Sequence, residues 1–155
     1  MATYVNDLRL KEIGTGESSG TWGTETNVNL ELIGEAMGYA TKAVADASTS
    51  TITMPDGTAT GGELRSLYLK LTGGGQASTV TLAPNTVSKV WFIENATSYT
   101  LTFTMGSGAN VAVLAGQTKS IASDGAGSGA ALYDVMTDLS VAGDFFVANT
   151  IQPAG

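Results

Sequence analysis

Tyr99-Thr100-Leu101-Thr102-Phe103-Thr104-Met105 decides the fold class of this chain. Four apolar side chains alternate with three threonines, the period-two pattern of an antiparallel strand with one face on a core and the other in water. β-branched threonine suits the solvated side of such a strand because it packs well on a pleated surface. Working outward, the same period recurs in short runs at 51–54, 64–71, 79–83, 89–95, 99–105, 111–114, 118–122 and 131–136. Pro55-Asp56-Gly57, Gly73-Gly74-Gly75, Pro84-Asn85, Gly106-Ser107-Gly108 and Asp124-Gly125 fall between the runs, where turns need residues that accept a tight or left-handed backbone. Val90-Trp91-Phe92-Ile93 is apolar on both faces and predicts a central strand with Trp91 in the core. Eight strands spaced by roughly ten residues predict a two-layer antiparallel β-sandwich over residues 48–137.

Upstream the period changes. Leu30, Ile33, Met37, Ala40, Val44 and Ala47 recur at steps of three and four, one face of a helix over residues 24–47. Thr24 or Thr26 suits its N-cap, and Glu25 suits the positive end of the helix dipole. Two readings of the stripe stand side by side. It packs on the chain's own sheet, or Leu30, Ile33, Met37 and Val44 form a short coiled-coil seam on a threefold axis, although it falls short of the roughly three to four heptads that identify a coiled coil. Gly34 and Gly38 permit close approach of another backbone in either case.

Residues 1–23 form a polar arm punctuated by Gly14, Gly16, Gly20 and Gly23, with Tyr4, Val5, Leu8, Leu10, Ile13 and Trp22 as its only large apolar anchors. Such an arm buries little alone, so it is expected to dock, on its own domain, a sister subunit or a partner. Trp22, between Thr21 and Gly23, reads as an interface anchor. At the other end, residues 138–155 alternate again around Gly143-Asp144. Leu139, Val141, Phe145 and Val147 would give a lone strand pair an apolar face in water and unpaired edges, a problem that intertwined trimers solve by pairing chains. This segment is expected to start an interchain β-structured shaft and to contribute to a trimer interface.

Composition narrows the chemistry. The 155 residues carry seven basic and fourteen acidic side chains, a formal charge of −7, and neither histidine nor cysteine. Arg9, Lys11, Lys42, Arg65, Lys70, Lys89 and Lys119 stand singly, unlike the clustered cations that displace counterions from a nucleic acid, and anionic membranes are disfavoured for the same reason. Without His or Cys there is no Ser-His-Asp triad, no thiolate nucleophile and no zinc site of the usual kind, which leaves carboxylate chemistry of the glycosidase kind or none. No pair among the fourteen acids stands out, so the expectation is no enzyme and no cofactor, with a paired-carboxylate enzyme as the remaining alternative. The start of the chain lacks a basic and apolar leader, and no run approaches the roughly 20 apolar residues of a membrane span, which predicts a product made soluble in a cytoplasm.

Local motifs add little chemistry. Gly16-Glu17-Ser18-Ser19-Gly20 matches the nucleophile-elbow string but lacks its His base, its preceding strand and its following helix, and reads as a Gly/Ser hinge. Gly125-Ala126-Gly127-Ser128-Gly129 resembles a phosphate loop without the lysine and reads as a wide hairpin loop. Asp124, Asp134, Asp138 and Asp144 match no calcium-loop spacing and read as solvated turn carboxylates, and Asn95-Ala96-Thr97 is a glycosylation sequon of the kind that arises by chance.

Three stretches carry a family likeness: residues 2–13 with Gly20-Thr21-Trp22-Gly23-Thr24 and 27–33; Pro84-Asn85-Thr86-Val87-Ser88-Lys89-Val90-Trp91-Phe92-Ile93-Glu94-Asn95; and residues 123–131. On these the chain resembles the N-terminal part of virion structural proteins of tailed phages, of the tail fibre or tailspike-like type found in marine phages. The resemblance implies a virion-attached, homotrimeric protein whose arm docks through Tyr4, Val5, Leu8, Leu10, Ile13 and Trp22 onto tail or head-tail connector components. A head fibre, a capsid decoration protein or a carbohydrate-binding β-sandwich shares the same physical character.

Overall fold

The computed structural model describes residues 1–137 together with Ser140 and Ala142; the expected shaft residues Leu139, Val141, Phe145 and Val147 lie outside the described residues. Among the described residues the chain is mostly β, with one α-helix and nine strands in two sheets. The helix α1 spans Trp22–Ala36, followed by β1 (Tyr39–Val44), β2 (Thr49–Thr53), β3 (Tyr68–Gly73), β4 (Ser78–Ala83), β5 (Val90–Asn95), β6 (Leu101–Thr104), β7 (Val111–Val113), β8 (Thr118–Ser123) and β9 (Leu132–Asp134).

The sheets are mixed, which corrects the antiparallel expectation. One has the order β1-β3-β5-β8-β9 and the other β2-β4-β6-β7. β1, β3 and β5 run parallel, as do β2, β4 and β6, and only β7, β8 and β9 join antiparallel. From β1 to β6 each connection carries the chain to the opposite sheet. The next strand therefore returns to the first sheet pointing the same way, and the chain winds between two layers instead of folding back in hairpins. Alternation within each strand is the same in either topology, so period two located the strands without fixing their direction.

The helix is shorter than its stripe. It ends at Ala36, where Met37 N–H bonds Gly34 O and Gly38 N–H bonds Glu35 O, tightening the last turn. Residues 39–44 then form β1, a strand hidden inside the expected helix. Ala40 and Val44 thus lie on a strand, and Val44, expected on a helical seam, is buried in the core of its own chain. At the other end α1 begins two residues before the earliest expected start, so Trp22 belongs to the helix and Thr21 is its N-cap residue, without a side-chain cap bond. Glu25 does sit in the first turn.

The core lies between the sheets. Leu69 and Ile93 stand beside each other on the inner face of one sheet; Val80, Phe103 and Val111 align on the inner face of the other. Trp91 is fully buried, as expected, and its indole N–H donates to Leu64 O at 2.7 Å. Asn95 is buried at the end of β5, where its side-chain amide donates to Tyr99 O and Val113 O and its Oδ1 accepts from Thr97 N–H and hydroxyl. Every polar valence of that amide is engaged, so the sequon is a structural corner. The outer face of the β2-β4-β6 sheet is a threonine array: Thr49 beside Thr79 beside Thr102, and Thr51 beside Thr81 beside Thr104.

Candidate interaction surface

The arm folds back on its own domain, and one buried side chain organises its seat. Arg65 is wholly buried, and its guanidinium donates to Leu8 O (2.9 Å), Pro55 O (2.7 Å) and Thr58 O (3.1 Å) while facing Glu35 of α1. Arm, loop and helix thus meet on one cation. Lys89 lies behind it, donating to Arg65 O and Ser66 O, with its ammonium 5.0 Å from the centre of the Trp91 ring. Burial, helped by the nearby Arg65 charge, lowers the Lys89 pKa to about 8.

Further contacts run the length of the arm. Asp7 Oδ1 accepts from Ser88 N–H, Gly57 N–H donates to Arg9 O, and Arg9 pairs with Asp56 at 2.8 Å. Asn29 of α1 exchanges two hydrogen bonds with the Lys11 backbone. Lys11 and Ser18 both bond Glu25, and these two contacts, the Lys11 bond foremost, hold the Glu25 carboxyl down at about 2. Tyr4 lies across Gly57: a Cβ there would stand 2.6 Å from the ring, and φ is +55°.

The expected docking residues therefore divide. Tyr4, Leu8 and Leu10 are half-buried on the chain's own domain, whereas Val5, Ile13 and Trp22 face solvent, Trp22 with 65 % of its surface exposed. The helix stripe divides the same way. Leu32 and Ala36 are buried, while Leu30, Ile33 and Met37 are exposed at 60, 42 and 74 %. Packing of the stripe on the chain's own sheet is thereby corrected: α1 presents Trp22, Leu30 and Ile33 outward, and Met37, its C-cap residue, is exposed beside them.

Sequence reasoning missed two features. The first is a row on the outer face of the β1-β3-β5 sheet, where Tyr39, Tyr68 and Phe92 stand side by side in register. The Tyr39 and Tyr68 rings stack with centroids 5.4 Å apart, and both Tyr39 and Phe92 are exposed. One step along, Lys70 pairs with Glu94 at 2.9 Å and the Tyr68 hydroxyl donates to Glu94, which depresses the carboxyl and raises the ammonium. Alternation in 39–44 was the available signal, obscured by the fit of Ala40 and Val44 to the helical stripe. The second feature is a cleft of about 240 Å³ lined by Glu35, Tyr39, Glu63 and Ser66. Lys42 holds Glu63 Oε1 at 3.2 Å, but Glu63 Oε2 is buried without a hydrogen-bond partner among the described residues. No sequence signal marks this cleft, because its walls come from α1, β1 and the 3-10 turn Glu63–Arg65.

The weak motifs resolve into turns. Ser18, in the elbow-like string, has φ +61° and bonds Glu25. A helix does follow it, contrary to expectation, but no strand precedes it among the described residues, where Thr3 and Glu12 make only an isolated bridge. The Gly125 loop connects antiparallel β8 and β9 as a hairpin, with Asp124 Oδ1 accepting from Ala126 N–H and Ala131 N–H. Comparison with protein-family models, curated proteins and solved structures found no match.

Proposed function

We propose that the chain is a structural attachment module of a tailed-phage virion, the N-terminal part of a trimeric tail fibre or tailspike-like protein. The observation that carries this reading is the outward apolar face of α1. Trp22, Leu30 and Ile33, with the C-cap residue Met37, are exposed on a helix whose own packing uses Leu32 and Ala36. Exposed apolar side chains grouped on one element favour a protein contact. The family likeness of residues 2–33 supplies the virion context. Because Val44 is buried and the seam has lost its C-terminal half to β1, α1 serves docking, and threefold assembly is assigned to residues 138–155.

Two measurements test the proposal. Light scattering after size-exclusion chromatography should give the mass of three chains, and a mass of one chain stable on concentration removes the trimer. A Trp22→Ser, Leu30→Ser, Met37→Ser chain that folds should fail to enter virions; wild-type incorporation of that variant removes docking by α1.

The aromatic row favours a second reading, a carbohydrate-binding sheet face. Tyr39, Tyr68 and Phe92 offer apolar surface for a sugar, and the neighbouring Lys70–Glu94 pair offers groups for its hydroxyls. A glycan array read with the wild-type chain and with Tyr39→Ala tests it: signal lost in the variant favours the reading, and no signal on any glycan removes it.

A further inference from the structure

Sulfur in this chain is methionine alone: there are five methionines and no cysteine. The fold divides them sharply. Met54 and Met105 are buried in the core between the sheets, whereas Met1, Met37 and Met136 stand in solvent. A dissolved oxidant reaches an exposed thioether directly, but a core methionine only when the fold opens around it.

Of the exposed three, Met37 adjoins the outward face of α1. It is the C-cap residue, four positions beyond Ile33, which is itself three beyond Leu30, so the three side chains follow one another along one side of the helix end. The Met37 N–H is held by Gly34 O at 3.2 Å, which fixes the backbone while the side chain stays exposed. Oxidation there would turn a flexible apolar side chain into a polar one in the middle of an apolar surface.

We propose that Met37 is a redox-sensitive site: hydrogen peroxide converts its thioether to the sulfoxide, and the new polar group weakens contact through α1, an effect that rests on the docking reading above. In this step the O–O bond of the peroxide breaks, one oxygen joins sulfur through its lone pair, and the other leaves as water. Sulfur loses two electrons and the peroxide gains them. Methionine sulfoxide reductases reverse the change at the expense of two thiols, which leave as a disulfide together with water.

The test treats the purified full chain with dilute hydrogen peroxide, reads each methionine by mass spectrometry of its peptides, and adds a second portion to virions that lack the chain. Met37 should convert at least about tenfold faster than Met54 and Met105. Incorporation should fall about tenfold as Met37 converts, because a polar group without a partner in an apolar contact costs about that factor. Treatment with the reductases for both sulfoxide epimers should restore it. Met136→Leu should lose incorporation as wild type does, whereas Met37→Leu, whatever its level before peroxide, should keep that level afterwards. Conversion of Met37 no faster than that of the two core methionines overturns the proposal, and so does an equal loss in Met37→Leu. The conversion rates are read on the wild-type chain, so they do not depend on any variant folding. If fully converted chain enters virions normally while the α1 serine variant fails to enter, docking stands and the redox sensitivity falls; if the serine variant enters normally, the docking reading itself falls.

Discussion

Arg65 decides how the arm is seated, because one buried guanidinium closes three backbone carbonyls from two segments and faces a helix carboxylate. Replacing it with methionine keeps most of the volume but leaves Leu8 O, Pro55 O and Thr58 O without that donor. Arg65→Met should destabilise the chain by about 3 kcal/mol in urea unfolding and hasten proteolysis of residues 1–21, since unmatched buried polar groups carry the full desolvation cost. Full stability in that variant would mean that the arm is held by its other contacts. Glu25 gives a residue-scale prediction in pH. Its folded pKa lies near 2 against an ordinary 4.5, so the contribution of its contacts is complete above the ordinary value and is lost as pH falls toward 2. Wild type should therefore exceed Glu25→Gln in stability at pH 6, and the difference should shrink through pH 4 and vanish near pH 2, followed by urea midpoints at each pH. Little of this was legible in the sequence: Arg65 sits in an unremarkable Leu64-Arg65-Ser66-Leu67 run, and its partners are contributed by segments far away in the chain.

Between elements, the informative case is the join of α1 and β1. Leu30, Ile33 and Met37 satisfy a helix, Ala40 and Val44 continue its arithmetic, yet Tyr39, Thr41 and Val44 prefer strand, and Gly38 weakens any helix through it. Pairing with β3 settles the competition by burying Val44 and aligning Tyr39 with Tyr68. Strand positions elsewhere were legible to within a few residues because alternation is local; sheet membership was not, because it depends on where each turn sends the chain. β1 is an edge of its sheet, and Lys42 is a charge on its inward-facing side, held by Glu63. Such a charge discourages another strand from pairing there. Lys42→Val should accordingly raise the rate of aggregation in thioflavin or turbidity assays well above wild type while leaving the circular dichroism of fresh protein unchanged. Unaltered aggregation would show that the edge is guarded by something other than Lys42.

At the scale of the molecule, winding makes each turn of the chain rest on its neighbours: β3 lies between β1 and β5, and β4 between β2 and β6. Arg65 follows β2 and precedes β3, and it also holds arm and helix, so the irregular N-terminal third is tied to the middle of the winding. Removing packing there should weaken everything at once. Leu71, fully buried on β3, stands between Lys42 of β1 and Asn95 of β5, and Leu71→Ala should cost about 2–5 kcal/mol through lost contacts and the cavity left behind. The form of the transition is the sharper prediction. Far-ultraviolet circular dichroism reports both helix and strands, whereas the fluorescence of a Trp22→Phe chain reports only Trp91 in the core. In wild type and in Leu71→Ala alike, with Trp22→Phe in both, the two signals should give the same urea midpoint, displaced together by the substitution. An earlier loss of helical signal, with the Trp91 transition unmoved, would mean that arm and α1 unfold as a separate unit, and Arg65 would then join two units that melt independently.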